Sequence, residues 1–269
     1  CIRGDTVRRG CELQLFQPQK AGNMDCTFCL DCLHACPHGN VGILAIAPSS
    51  QLYHDRYRSS IGRFSQRPDI AALVLLLVCG AFVNAAGMLE KTTAWEGSLQ
   101  PRVSLILFVT LLLVLPFVLV SLCAGLSRKL GHLRAGLQEL ICSFAIAFIP
   151  LGFSMWAAHM SFHFLNGFYA FIPAAQRAAE DIGIAGLGRP DWSLLSHGLA
   201  VDWLPSLQIL LLDSGFLLTL YSAWRIARRY QPQGAVGLFA PWAFMAIGLF
   251  LIGLWIIFQP MAMRGSMLH

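Results

Sequence analysis

Apolar residues fall into five long runs that short polar stretches separate. The runs extend approximately over residues 70–87, 103–124, 140–158, 204–221 and 236–258. Each is close to the roughly 20 residues that an α-helix needs to cross about 30 Å of hydrocarbon. Because a helix satisfies its backbone hydrogen bonds internally, such runs favour helices over strands in lipid. The pattern therefore predicts an all-α integral membrane bundle of about five helices over residues 70–260.

The polar regions predict three further features. Residues 1–50 are rich in Cys, Gly, Pro and Arg, and we expect a small extramembrane head there. Residues 51–69 form a basic linker to the first run. Between the third and fourth runs, residues 171–184 (FIPAAQRAAEDIGI) place apolar and charged side chains at helical spacing, which predicts a short interfacial helix, with a docking site as the alternative.

Basic residues mark one side of the predicted membrane. They precede the first run (Arg56, Arg58, Arg63, Arg67), separate the second from the third (Arg128, Lys129, Arg134) and separate the fourth from the fifth (Arg225, Arg228, Arg229). The positive-inside rule then places the head in the cytoplasm and the C-terminus outside. With 56% hydrophobic and 12% charged residues the chain falls outside the soluble class. Its net charge of +5 lies in short loops, so we expect no nucleic-acid partner.

Cysteines concentrate in the head. Of the nine in the chain, Cys26, Cys29, Cys32 and Cys36 stand before Pro37 in the spacing C-x2-C-x2-C-x3-C-P. This is the bacterial ferredoxin run, in which closely spaced thiolates of a short loop hold a 4Fe-4S cluster. Zinc sites usually combine two separated C-x2-C pairs, and disulfides are disfavoured in the cytoplasm. The sequence therefore predicts a ferredoxin-like iron-sulfur head.

The cysteines outside this run predict a second cluster. In two-cluster ferredoxins the Cys before Pro ligates the other cluster. Cys11 would then complete the first cluster, and Cys1 would join Cys36 on a second one that lacks two ligands. Because the chain begins at Cys1, we expect the missing pair just upstream; a mature lipoprotein is the alternative for such a start. The simpler alternative is one cluster on the four-cysteine run.

The head resembles a known family. The stretch CIRGDTVRRGCELQLFQPQKAGNMDCTFCLDCLHACPHGNVGIL, then IGRFSQRPD and a multi-span bundle with AHMSFHF and QPMAMRG, is similar to the polyferredoxin-type membrane iron-sulfur proteins. These include relatives of the membrane quinol dehydrogenase of periplasmic nitrate reduction. The resemblance implies a bacterial inner membrane, a periplasmic C-terminus, and electron transfer between a cytoplasmic donor such as ferredoxin and membrane quinone, together with other redox subunits.

Three ionisable groups in the predicted bundle are candidates for chemistry there. His159 and His163 are four residues apart and share one face of the third helix. They could bind haem, bind another metal, or serve a quinone or proton relay, or they could be ordinary interfacial histidines. Bis-histidine haem needs ligands on two sides of the ring, with only His197 or a Met to supply the second, so haem is disfavoured. Asp213 is the one carboxylate in the middle of an apolar run, which makes it a candidate for a proton relay or for a hydrogen bond to quinone. The alternative is a protonated Asp213 that forms a hydrogen bond to a nearby Ser or backbone group.

The function expected from these features is electron transfer between a low-potential cytoplasmic donor and membrane quinone, with membrane lipid around the bundle. A quinone that exchanges electrons with the head should bind near the inner leaflet, because the histidine pair is predicted about 30 Å away across the membrane. The pair would then have a separate task. The alternatives are a non-catalytic anchor, assembly or redox-sensing subunit, and a zinc-bearing membrane regulator. Whether the chain is an enzyme, such as a quinone-linked oxidoreductase subunit, stays open.

Overall fold

A computed structural model describes residues 2–20, 22–55, 61–184, 186–196 and 202–261. Cys1, Arg56, Arg58 and His197, on which predictions fall, lie outside the described residues.

The described chain is built from helices. The α-helices are α1 (Asp31–His34), α2 (Pro68–Gly87), α3 (Glu90–Ser98), α4 (Pro101–Val109), α5 (Leu115–Leu130), α6 (Leu137–Ala145), α7 (Ile149–Asn166), α8 (Phe171–Asp181), α9 (Leu204–Tyr230) and α10 (Ala235–Ile257). A π-helical turn at Thr110–Val114 joins α4 to α5, and a 3-10 turn at Ile146–Phe148 joins α6 to α7. Further 3-10 turns lie at Gln17–Gln19, Pro48–Leu52, Phe64–Gln66, Phe168–Ala170 and Trp192–Ser196. No strand occurs among the described residues.

Among the described residues, five helical stretches are long and apolar enough to cross a membrane, in agreement with the number of spans predicted. They are Pro68–Gly87, Pro101–Leu130, Leu137–Asn166, Leu204–Tyr230 and Ala235–Ile257. The sequence bounds were too short for the second, third and fourth, because apolar runs end where polar side chains begin while backbone hydrogen bonding continues. The third helix in particular continues to Asn166, so both candidate histidines lie inside it.

The five stretches differ in burial. Leu137–Asn166 is the most buried, at 67%, and Pro101–Leu130 the least, at 11%. The leucines and valines of Pro101–Leu130 are largely exposed, among them Leu105, Leu113 and Leu122. Such a surface is suited to lipid or to another membrane subunit.

The third span changes helix type at Pro150. Proline has no N–H, and its ring clashes with the carbonyl four residues earlier, which is that of Ile146. The 3-10 turn Ile146–Phe148 occupies this position, and α7 begins directly after it. The backbone N–H of Leu151 donates to the Thr219 hydroxyl of α9 at 3.2 Å. A neighbouring helix therefore satisfies a backbone group next to the break, as membrane helices require.

The chain divides into two compact units. The first holds the described residues up to Leu75 with Val118–Ile149 and Tyr221–Ala243. Its core is aromatic: the rings of Phe144 and Trp242 stack with centroids 4.7 Å apart, and Phe148 lies against the same indole. These three side chains are fully buried.

The second unit holds Leu76–Phe117, Pro150–Leu220 and the described residues from Phe244 onward. Small residues let its helices approach closely. A Cβ on Gly152 would lie 2.7 Å from Val78, and a Cβ on Gly215 would lie 2.6 Å from the carbonyl of Pro150. Close backbone approach at small residues is typical of helix packing in membranes.

The predicted interfacial segment is helical, which confirms that part of the prediction. α8 ends at Asp181, three residues earlier than expected, since Gly183 adopts a positive φ of 78°. Its Arg177 pairs with Asp181 at 3.3 Å, one turn later.

Candidate functional site

The head carries its thiols on a loop and one helical turn. Cys26 and Cys29 precede α1, Cys32 lies within it, and Cys36 follows it. These four and Cys11 are free thiols, and Cys29 is exposed while the others are half-buried. The described head contains only short helices and one isolated bridge, between Gly4 and Arg9, and a ferredoxin-like fold is not shown there.

The loop around Cys29 has an unusual backbone. Phe28 and Leu30, on either side of it, adopt positive φ values of 57° and 66°. Non-glycine residues pay roughly 1–2 kcal/mol for this left-handed conformation. Strained residues of this kind cluster where a loop must present groups to a ligand.

Backbone N–H groups point at several of the sulfur atoms. The N–H of Leu15 donates to Cys11 Sγ at 3.4 Å, and that of Asn40 donates to Cys36 Sγ at 3.4 Å. The pKa of the Cys36 thiol lies below its ordinary value because the N–H groups of Asn40 and His38 stabilise the thiolate. The pKa of the Cys26 thiol is also lowered, first by the backbone N–H of Phe28 and then by the Lys20 ammonium.

These thiols do not form an assembled metal site. Across the part of the chain that the structure describes, no three His, Cys, Asp or Glu side chains come together in a group that could hold a metal ion. The residue types present fit an iron-sulfur cluster, since such clusters are held by cysteine thiolates whose sulfur atoms accept hydrogen bonds from N–H groups. The arrangement of the four thiols does not by itself reproduce one.

The candidate histidines do come together. The Nε2 atoms of His159 and His163 lie 3.1 Å apart on one face of α7. The Sδ atom of Met88, which follows the last residue of α2, lies 3.1 Å from His163 Nε2. His159 is 2% exposed, and its Nδ1 is buried with no hydrogen-bond partner among the described residues.

Gln208 secures the helix beside this pair. Its amide nitrogen donates to the backbone carbonyl of Ala158 at 2.9 Å, and the side chain is buried. It ties α9 to α7 one residue before His159. Sequence patterns do not predict this contact, because a single Gln near the start of an apolar run shows no periodicity.

Asp213 forms no hydrogen bond to either histidine of the pair within the described residues. Its side chain is half-buried in α9, and it has no hydrogen-bond or ion-pair partner within the described residues. The adjacent Ser214 donates instead to the carbonyl of Leu210. The alternative in which a neighbouring Ser holds the carboxyl group is therefore not seen.

A basic cavity in the first unit was not predicted. It has a volume of about 390 Å³ and is lined by Tyr53, His54, Arg225, Arg228, Arg229 and Pro232. The Arg225 guanidinium lies 4.6 Å from the centre of the Tyr53 ring, and Arg229 donates to the Tyr53 carbonyl at 3.1 Å. No described carboxylate forms an ion pair with these three arginines. From the sequence these arginines are basic residues that mark one side of the membrane. In the structure two of them, Arg225 and Arg229, also hold the linker to the end of α9.

A polar chain lies next to this cavity. Arg229 contacts the Ser143 hydroxyl at 3.4 Å, Ser143 pairs with the Tyr230 hydroxyl at 2.9 Å, and that hydroxyl donates to Glu139 at 2.9 Å. The chain connects α9 with α6. It brings one carboxylate close to the arginine cluster without a direct ion pair.

Searches among known proteins give no relative: no family model, no curated protein and no solved structure matches the chain.

Proposed function

We propose that the chain is a membrane-bound iron-sulfur protein that passes electrons between a low-potential cytoplasmic donor, such as ferredoxin, and the membrane quinone pool. The observation that carries this proposal is the C-x2-C-x2-C-x3-C-P run of free thiols in the head. The five apolar helices support a multi-pass membrane location. The proposal places the protein in a bacterial inner membrane with the head cytoplasmic and the C-terminus periplasmic, beside other redox subunits.

In this proposal Cys26, Cys29 and Cys32 hold a 4Fe-4S cluster, with Cys36 or Cys11 as the fourth ligand. When bound, the cluster supplies one-electron transfer at a low potential. The strained backbone around Cys29 and the N–H groups aimed at Cys11 and Cys36 support a loop that presents sulfur to a ligand. Since the four thiols are not preassembled, the loop would have to close as the cluster is inserted. Cys1, which lies outside the described residues, would belong to a second cluster.

Metal analysis tests the head. The purified full-length chain should contain iron and acid-labile sulfide in equal amounts and give the electron paramagnetic resonance signal of a reduced 4Fe-4S cluster. Cys29→Ser should lose most of the iron, because a serine hydroxyl is a poor replacement for a thiolate. Cys123→Ser is the matched control, since Cys123 is a half-buried thiol within α5, and it should keep its iron. Zinc without sulfide would refute the proposal and favour a zinc-bearing regulator.

The basic cavity is the proposed site where quinone meets the head. It lies in the unit that contains the head residues, and its arginines and His54 offer N–H donors to a quinone oxygen. Developing negative charge on a reduced quinone would be stabilised by guanidinium groups that form no ion pair with any carboxylate of the described residues. Asp213 and the histidine pair stay candidates for proton relay.

Quinone kinetics test the cavity. Reduction of a soluble quinone analogue by the donor-reduced protein should show a KM about tenfold higher in Arg225→Gln, as expected when a charged hydrogen-bond donor is removed. Arg134 is also an arginine on the predicted cytoplasmic side, but it does not line the cavity, so Arg134→Gln should leave KM unchanged. Rapid cluster reduction with no quinone turnover in the wild-type protein would instead favour an anchor or redox-sensing subunit.

A further inference from the structure

Two imidazole nitrogens and one thioether sulfur lie close together in the second unit. They are His159 Nε2, His163 Nε2 and Met88 Sδ, with His163 Nε2 lying 3.1 Å from each of the other two. The histidines are fixed on consecutive turns of α7, and Met88 comes from the turn that follows α2. Two separate elements therefore supply the three atoms.

Hydrogen bonding accounts for this arrangement poorly. A neutral imidazole carries one hydrogen, and a thioether carries none. If His163 Nε2 is protonated, its single hydrogen must serve both the sulfur and the other ring nitrogen. If His159 Nε2 is protonated instead, the lone pair of His163 Nε2 faces the lone pairs of the sulfur. A cation bound by the three atoms would remove these repulsions, because all three lone pairs would then point at positive charge.

The surroundings favour a cation of low charge. His159 is almost fully buried, and Met88 and His163 are half-buried. The Phe162 ring lies against that of His163, with the two centroids 5.5 Å apart. No described carboxylate forms an ion pair with either histidine. The cost of burying an ion rises steeply with its charge, so three neutral ligands in an apolar environment suit a monovalent ion better than a divalent one.

We propose that His159, His163 and Met88 form a binding site for Cu(I). Thioether sulfur selects Cu(I) among the common biological metals, and imidazole nitrogen is also a good ligand for copper. Zinc sites use Cys, His and carboxylate ligands, and only two of these three side chains qualify. Haem is unsuited, because its two axial ligands lie on opposite sides of the ring, whereas these two nitrogens lie only 3.1 Å apart on one helix face. This site is independent of the iron-sulfur head and gives the histidine pair a separate task.

Competition for Cu(I) tests the site. The full-length protein in detergent would be titrated anaerobically with Cu(I) in the presence of a colorimetric Cu(I) chelator, and retained equivalents would be counted. Met88→Leu conserves side-chain volume but removes the sulfur, so the fold should persist. Since outer-shell changes alone cost roughly 10–100-fold in metal affinity, loss of this direct ligand should cost about 100-fold. His163→Gln should have a similar effect.

Matched controls separate this site from the thiols, which also bind Cu(I). Met160→Leu changes an exposed methionine on the same helix, between the two histidines in sequence, whose sulfur forms no hydrogen bond to either ring among the described residues. It should bind as many equivalents of Cu(I) as the wild type, whereas Met88→Leu should bind one fewer. X-ray absorption of the difference equivalent should show two nitrogen neighbours and one sulfur neighbour, and Ag(I) should displace it while Zn(II) should not.

Two outcomes would overturn the assignment. The first is that Met88→Leu and His163→Gln keep wild-type stoichiometry and affinity. The second is that copper in the wild type has only sulfur neighbours, which would place all of it on the cysteines. Because the readout is Cu(I) itself, failure here leaves the iron-sulfur proposal untouched.

Discussion

Gly215 offers the sharpest test of how the second unit packs. A Cβ at this position would lie 2.5 Å from Ser154 Cβ and 2.6 Å from the carbonyl oxygen of Pro150. The Ser154 hydroxyl could rotate away, but the other two atoms are fixed by the backbone of α7. We therefore expect Gly215→Ala to force α9 away from α7.

The magnitude follows from two opposing effects. Overpacking of a well-packed site costs about 1–3 kcal/mol, and a fixed backbone atom at 2.6 Å puts Gly215→Ala at the upper end. Replacing Gly by Ala inside a helix gains about 1 kcal/mol. The expected net loss is about 2 kcal/mol of unfolding free energy. For a chain of this length that corresponds to a fall of roughly 4–8 °C in Tm.

Gly248→Ala is the matched control, since Gly248 is a mid-helix glycine of α10 whose added Cβ would meet no atom of the described residues within 4 Å. It should be neutral or raise Tm slightly. Thermal unfolding in detergent, followed by far-UV circular dichroism, measures both variants. Equal Tm values for Gly215→Ala and Gly248→Ala would refute the close approach of α9 to α7.

Three polar contacts give further predictions, each measured by the same unfolding assay. Thr219→Val should cost about 1–3 kcal/mol, because the Leu151 N–H next to the helix break loses its acceptor, whereas Thr219→Ser should keep most of the stability. Tyr230→Phe should cost about 1 kcal/mol by removing the donor to Glu139, and an unchanged Tm would show that water replaces it. Ser127→Ala removes a buried hydroxyl that donates at 2.8 Å to a backbone carbonyl of α10 and should cost about 1 kcal/mol, while a gain in stability would contradict that hydrogen bond.

The sequence alone determined the features that depend on local chain chemistry. Five helices could be predicted because a membrane demands about 20 apolar residues per span, whatever their neighbours are. The pairing of His159 with His163 followed from helical periodicity, since residues four apart share a face. The thiol run at Cys26 could likewise be recognised from spacing within a single loop.

Tertiary structure decided which distant residues meet. Met88 joins the histidine pair from 75 positions away in the sequence, and Tyr53 meets Arg229 from 176 positions away. Neither contact can be recognised from sequence periodicity, because each depends on how separate helices and the linker pack. The ends of the third span were missed for a related reason: hydropathy records which side chains prefer lipid, while a helix ends only where its backbone hydrogen bonds end.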